Sequence, residues 1–181
     1  MTSQVHGTAC ACMMPVFHHL TRRSAIGLGL GGALATVLPA NAAGGSYEAM
    51  LVNCIDPRFT TSSQAYMASQ GMKDKFSHFV IAGGPIGVVA PQFADWQKAF
   101  WDNLAITVQL HSIKKVVGLT HRDCGAAAVA YGDAIKTDKA LETTKHTEAL
   151  KAFRAGIVQR QTTLEVFTGI MALDGTVEVI S

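Results

Sequence analysis

The chain has 181 residues, of which 49% are hydrophobic and 15% are charged, a composition typical of a globular protein rather than a disordered one. Its formal net charge is +2, and the excess comes from Arg22 and Arg23, because acidic and basic side chains are equal in number after residue 43. This balance leaves no polybasic surface for nucleic acid or anionic lipid, so we expect neither as a partner.

Residues 1–42 have the pattern of an export signal peptide. Arg22 and Arg23 precede an uncharged stretch from 25 to 38, and Ala40-Asn41-Ala42 then matches an A-x-A cleavage site. The apolar stretch is shorter than the roughly 20 residues that span a bilayer, so we expect no stable membrane anchor. The paired arginines resemble a twin-arginine signal, which predicts export of a folded protein to the periplasm or beyond. An uncleaved amphipathic tail or a lipid-facing anchor is the alternative.

From residue 47 onward, segments with strand and helix patterns alternate. Strands are predicted at 47–53, 76–82, 115–120, 164–172 and 176–180, and helices at 60–71, 92–112, 124–131 and 143–161. The alternation predicts that residues 43–181 form a single α/β domain, with a mostly parallel sheet of about four to five strands flanked by helices. The glycine-rich segment 83–87 lacks the Lys-Ser/Thr of a phosphate-binding loop, so we interpret its glycines as positions of close backbone packing.

Two short motifs follow two of the predicted strands. Cys54-Ile55-Asp56-Pro57-Arg58 comes after the first strand, and His121-Arg122-Asp123-Cys124-Gly125 comes after the third. If both strands belong to one parallel sheet, their carboxyl ends meet at the edge where open α/β sheets place their sites. Two cysteines and one histidine would then converge beside a carboxylate, which is a zinc ligand set with one position to spare.

A disulfide between Cys54 and Cys124 is the competing interpretation, because paired cysteines are common in oxidising compartments. It does not account for His121, which stands at the H-x-x-C spacing typical of metal ligands. We therefore favour zinc bound by Cys54, His121 and Cys124. Cys124 is predicted at the first turn of a helix, where the helix dipole favours a thiolate.

The fourth zinc position depends on the two charged residues that follow Cys54. Asp56 could reach the metal and close the site. Arg58 could instead pair with Asp56 through two hydrogen bonds and hold it away, which would leave room for water. Acidified water of this kind attacks electrophilic carbon.

Together the two motifs resemble those of the β-class carbonic anhydrases, which carry C-x-D-x-R and H-x-x-C with a following glycine. The Asp in His-x-Asp-Cys is similar to the smaller, archaeal-type members. The resemblance implies reversible hydration of carbon dioxide to bicarbonate by zinc-bound hydroxide. It implies Cys54, His121 and Cys124 as ligands, Asp56 and Arg58 as the catalytic pair, and a homodimer or larger homo-oligomer.

Two other functions remain open on the sequence. The first is hydrolysis of carbonyl sulfide or carbon disulfide by the same chemistry. The second is a catalytically idle zinc-binding protein, in which Asp56 occupies the fourth metal position. Many family members carry an Arg-Asn-Ala-Gly-Asn run after the second strand, whereas this chain has Ile81-Ala82-Gly83-Gly84-Pro85.

Overall fold

The computed structural model describes residues 46–181. The predicted signal peptide and its cleavage boundary lie outside these residues, and both stay predictions, as does export. Within the described part of the chain, no helix is both long and apolar enough to cross a membrane.

Five strands of the described residues form one sheet in the order β2-β1-β3-β4-β5. The first four run parallel and β5 is antiparallel to β4, which confirms the predicted α/β class and the mostly parallel sheet. The strands are β1 Ala49–Asn53, β2 Phe76–Val80, β3 Lys115–His121, β4 Glu165–Met171 and β5 Val177–Ile180. The central strands are buried along nearly their whole length, as expected where helices cover both faces.

Five α-helices connect or flank the strands of this region. They are α1 Thr60–Ser69, α2 Pro85–Val89, α3 Ala94–His111, α4 Gly125–Tyr131 and α5 Lys139–Arg160. Alternate residues of β1 face opposite sides of the sheet. Leu51 packs with Met67 of α1 on one side, whereas Val52 packs with Phe100 of α3 and Phe153 of α5 on the other.

Two helix predictions differ from the structure. Helix α5 begins at Lys139 rather than at 143, because the Asp138 side chain caps it by accepting hydrogen bonds from the Ala140 and Leu141 backbone N–H groups at 3.0 and 2.9 Å. Helix α2 begins in the glycine-rich segment, where no helix is predicted from the sequence. Pro85 begins it, since a proline has the backbone angle of a first helical turn and needs no N–H partner there.

Candidate metal centre

The two motifs meet at the carboxyl edge of the sheet, as predicted. Strands β1 and β3 are parallel neighbours, with Val52 paired to Gly118, so the loops that follow them leave the sheet side by side. The metal-ligating atoms of Cys54, His121 and Cys124 all lie within 4.8 Å of one another. All three side chains are buried, and we refer to them below as the triad.

The glycine-rich segment supports the triad from the side of β2. The Gly83 backbone N–H donates a hydrogen bond to the Cys54 sulfur at 3.1 Å. Gly84 has φ +55°, and a Cβ there would lie 2.9 Å from the carbonyl carbon of Asn53 and 2.9 Å from the carbonyl oxygen of Leu119. Only glycine permits this approach to the ends of β1 and β3. The interpretation of these glycines as close packing is therefore confirmed.

His121 is held with one ring nitrogen available. Its Nδ1–H donates to the Arg122 carbonyl oxygen at 2.9 Å, which leaves the Nε2 lone pair free. Nε2 is buried and has no hydrogen-bond partner among the described residues. The Phe59 ring stacks on the imidazole with centroids 4.0 Å apart and fixes its plane. A buried imidazole nitrogen without a partner, beside two thiols, is the arrangement that a metal ion satisfies.

The two cysteines are separate thiols rather than a disulfide. Hydrogen bonding from Cys124 lowers the pKa of Cys54 to about 4, against the opposing effect of burial and with help from His121 and Gly83. The same hydrogen bond, together with burial, raises the pKa of Cys124, although the N–H groups of Ala127 and Ala126 act in the lowering direction.

Cys124 stands directly before Gly125 at the start of α4, as predicted. That the helix dipole favours a thiolate at this position stays a prediction. A divalent cation would displace the thiol protons and accept both sulfurs as thiolates. The donor set of two sulfurs and one imidazole nitrogen thus fits zinc.

Asp56 lies at the edge of the triad but is held by Arg58. Arg58 Nη2 donates to Asp56 Oδ2 at 2.7 Å, Nε lies 3.1 and 3.2 Å from its two oxygens, and the Arg58 backbone N–H donates to Oδ1 at 3.0 Å. These hydrogen bonds lower the pKa of Asp56 to about 2 and raise that of Arg58. Asp56 Oδ2 is 4.0 Å from His121 Nε2, so a short movement would bring it to the triad.

Two further residues bear on Arg58 and were not predicted. Asp123 accepts from Arg58 through its carboxylate at 2.8 Å and through its backbone carbonyl at 3.0 Å. The Asp123 N–H in turn donates to Glu142 of α5 at 2.7 Å. The sequence hint for Asp123 is its place beside Cys124. For Glu142 the sequence offers none, because the contact crosses from another helix.

The fold is that of solved β-carbonic anhydrases. A tetrameric β-carbonic anhydrase from Sordaria macrospora is similar with a TM-score of 0.54 and 15% identity, over 77% of this chain and 83% of that one. The β-carbonic anhydrase CafA of Aspergillus fumigatus gives a TM-score of 0.53 and 17% identity, over 80% of each chain. At these identities the likeness establishes the fold alone.

Sequence relatives are closer in identity. No family model matches the chain. A protein of Rickettsia bellii and a protein of Rickettsia conorii, both described as uncharacterized, are each 32% identical to it over 131 residues. The match spans 72% of this chain and 80% and 70% of the two relatives. The chain therefore belongs to the same protein family as these two Rickettsia proteins.

Proposed function

We propose that this protein is a zinc-dependent carbonate dehydratase that reversibly hydrates carbon dioxide. One observation carries the proposal: a buried Cys-His-Cys triad lies beside a carboxylate that an arginine holds away from it. The fold of β-carbonic anhydrases supports it further. Zinc bound by the triad would supply a Lewis acid that activates water toward attack on an electrophilic carbon.

The residues around the triad divide the work. Cys54 and Cys124 provide two negative charges, and His121 provides a neutral nitrogen whose direction Phe59 and the Arg122 carbonyl fix. Arg58 keeps the Asp56 carboxylate engaged, so that a fourth metal position stays available. The Asp56 carboxylate is ionised above about pH 2, and it can therefore orient a neighbouring proton donor over the whole physiological range.

A narrow crevice lies beside the triad. It borders Cys54 and His121, and it is otherwise lined by three apolar residues, Phe59, Leu119 and Met171, and three polar ones, Asn53, Ser63 and Thr120. Carbon dioxide, carbonyl sulfide and carbon disulfide are all linear molecules with an electrophilic central carbon, so the same metal chemistry would act on each. Hydrolysis of these sulfur analogues is thus the nearest alternative activity.

An idle zinc protein is a second candidate, because Asp56 lies close to the triad although Arg58 holds it. The 4.0 Å separation between Asp56 and the His121 ring nitrogen means that the carboxylate could occupy the fourth metal position if Arg58 released it. Such a site would bind zinc with four protein ligands and would have a structural role only.

The decisive measurement is the rate of carbon dioxide hydration by the zinc-loaded full chain, followed by stopped flow from pH 6 to 9. We expect the rate to rise with pH. Two thiolate ligands would weaken the Lewis acidity of the metal, so bound water would ionise only at higher pH. Arg58→Ala should keep one zinc per chain but lose roughly 100-fold or more of the rate, since Asp56 is then free to close the site. Lys98→Ala, which breaks an exposed ion pair with Asp102 on α3, is the control.

Three outcomes separate the candidates. Hydration by wild type that exceeds hydration by Arg58→Ala supports the proposal. Rapid turnover of carbonyl sulfide or carbon disulfide without carbon dioxide hydration assigns the site to the sulfur analogues. Equal and negligible rates at full zinc occupancy for wild type and Arg58→Ala would leave only the closed structural site.

We further propose a homo-oligomer, which is supported by the apolar side chains exposed close to the motifs. Ile55, in the first motif, is 61% exposed, and Val129, on helix α4 after the second motif, is 68% exposed. The Sordaria macrospora protein of the same fold is described as tetrameric. Light scattering of the full chain measures the state directly, and a monomer at micromolar concentration would contradict the proposal.

A further inference from the structure

A chain of polar contacts connects helix α5 to Arg58 through the loop between His121 and Cys124. Glu142 of α5 is only 6% exposed, and both of its carboxylate oxygens are used. Oε1 accepts from the Asp123 backbone N–H at 2.7 Å, and Oε2 accepts from Arg122 Nη1 at 3.3 Å. The buried Glu142 carboxylate therefore holds the backbone of the loop that joins His121 to Cys124, two of the triad residues.

The contact with Glu142 stabilises an uncommon backbone conformation. Asp123 has φ +56°, in the left-handed region that residues other than glycine adopt rarely. In this conformation its N–H faces Glu142, while its carbonyl oxygen and its carboxylate both accept from Arg58. Releasing the N–H would remove the support for the conformation that presents two acceptors to Arg58.

Arg58 donates hydrogen bonds to two carboxylates, those of Asp56 and Asp123. Its Nε and Nη2 atoms hold Asp56, while Nη1 and Nη2 hold Asp123. Arg58 is itself half-exposed, with 48% of its side-chain surface accessible, so packing alone does not fix it. Asp123 therefore supplies the anchor on the side of the guanidinium away from Asp56.

We propose that Glu142 is a positioning residue for the fourth metal position: by holding the Asp123 backbone it anchors Arg58, and Arg58 then keeps Asp56 off the metal. The inference rests on the proposed metal site and on the open arrangement of Asp56. It assigns a buried residue of α5, whose carboxylate hydrogen-bonds to Arg122 and Asp123 and to none of the triad residues or Asp56, to the control of whether the site accepts an external ligand.

The test uses azide binding to the full chain loaded with Co²⁺, followed by the visible absorption of the cobalt. Azide can bind only where a coordination position is available, so its affinity reports the open site without any turnover. Glu142→Leu fills the same space and removes the acceptor. We expect it to retain one Co²⁺ per chain and to bind azide at least tenfold more weakly than wild type.

A matched control is Glu178→Gln. Glu178 of β5 accepts from Arg122 Nη2 at 2.9 Å and touches neither Asp123 nor Arg58. Its azide affinity should stay within twofold of wild type. An equal loss in this control would show that any disturbance of the Arg122 ion pairs suffices, and the specific assignment to Glu142 would fail.

A double variant separates positioning from general damage. If Glu142 acts through Asp56, then Glu142→Leu combined with Asp56→Ala has no carboxylate to close the site and should recover azide affinity to within about threefold of Asp56→Ala alone. A damaged fold would not be rescued in this way, so failure of rescue overturns the inference. If Glu142→Leu does not fold, Asp123→Asn is tested instead, because this change at an exposed position removes the carboxylate charge that pairs with Arg58. Azide affinity within twofold of wild type in Asp123→Asn overturns the inference.

These results distinguish failure of the inference from failure of the proposed activity. Loss of azide binding in Glu142→Leu with rescue by Asp56→Ala supports the inference, even if no carbon dioxide hydration is found. Normal hydration with no effect of Glu142→Leu on azide keeps the proposed function and removes the inference. Wild type that binds Co²⁺ but not azide has a closed site, and both then fall.

Discussion

The triad and the Arg58 cluster lie side by side but in different physical environments. Cys54, His121 and Cys124 are 2–7% exposed and sit among apolar side chains. Arg58 and Asp123 are about half-exposed and are joined by charged hydrogen bonds. Core packing therefore fixes the triad together with the fold. The arrangement of Arg58, Asp56 and Asp123 depends on charges that solvent and salt weaken.

This difference in exposure predicts which property the buried triad controls and which one the Arg58 cluster (Arg58, Asp56 and Asp123) controls. Metal affinity should follow the buried ligands and should be lost only with the fold or with a ligand. Access to the metal should follow the exposed cluster and should change with substitutions that hardly alter stability. Substitutions in the molecule test this separation, beginning with the largest expected effect.

Cys124→Ser should abolish tight metal binding. A serine hydroxyl stays protonated at neutral pH and does not replace a thiolate ligand, so we expect Zn²⁺ affinity to fall by roughly 1,000-fold or more. At saturating zinc this corresponds to about 4 kcal/mol less free energy of unfolding. Metal analysis and thermal unfolding with and without zinc measure both effects.

Asp56→Asn is the control for Cys124→Ser, since it alters the ion pair with Arg58 rather than a triad ligand and should keep one zinc per chain. Full zinc occupancy in Cys124→Ser would show that the triad is not the metal site. Loss of zinc from Asp56→Asn would show that the two halves are not separable.

His146 makes the stability of the folded state sensitive to acid. It lies on α5 with 0% of its surface exposed, and neither ring nitrogen has a hydrogen-bond partner among the described residues. Burial lowers its pKa from 6.5 to about 4. Glu142 opposes this effect, and Arg122 and His121 add to it. The folded state therefore keeps His146 neutral at pH values where the unfolded chain binds a proton.

The sign of the pH dependence follows from this shift. Above pH 6.5 both states are neutral and His146 has no effect. As the pH falls from 6.5 toward 4, the unfolded state gains a proton that the folded state does not, so stability is lost. Relative to His146→Leu, we expect wild type to lose about 2 kcal/mol between pH 8 and pH 5. Urea unfolding of both proteins at the two pH values measures this, and a pH-independent difference would contradict it.

The sequence predicts the triad well because its signals are local. Each motif directly follows an apolar strand, and the parallel alternation brings the two strand ends to one edge. Cys54 and His121 could thus be placed together without coordinates. The pairing of Asp56 with Arg58 is also local, since the two residues are two positions apart.

Other parts depend on tertiary geometry and could not be predicted in this way. The contact between Asp123 and Glu142 requires a particular rotation of α5 and a left-handed residue in the loop, and neither has a sequence pattern. Helix α2 was missed because glycines at its start resemble a loop until their close approach to β1 and β3 is known.

Asp123→Asn should have the smallest effect on stability. Asparagine tolerates the left-handed conformation about as well as aspartate, and the Asp123 side chain is 59% exposed, so its ion pair with Arg58 is well solvated. We expect the free energy of unfolding to change by no more than about 0.5 kcal/mol in urea titrations.

Azide affinity of the Co²⁺-loaded Asp123→Asn protein should nevertheless fall severalfold, because the side chain that pairs with Arg58 loses its charge. Raising the salt concentration should narrow the gap between wild type and variant, since salt screens the same exposed pair. A large loss of stability without any change in azide affinity would contradict this prediction. The Arg58 cluster would then stabilise the fold rather than control access to the metal.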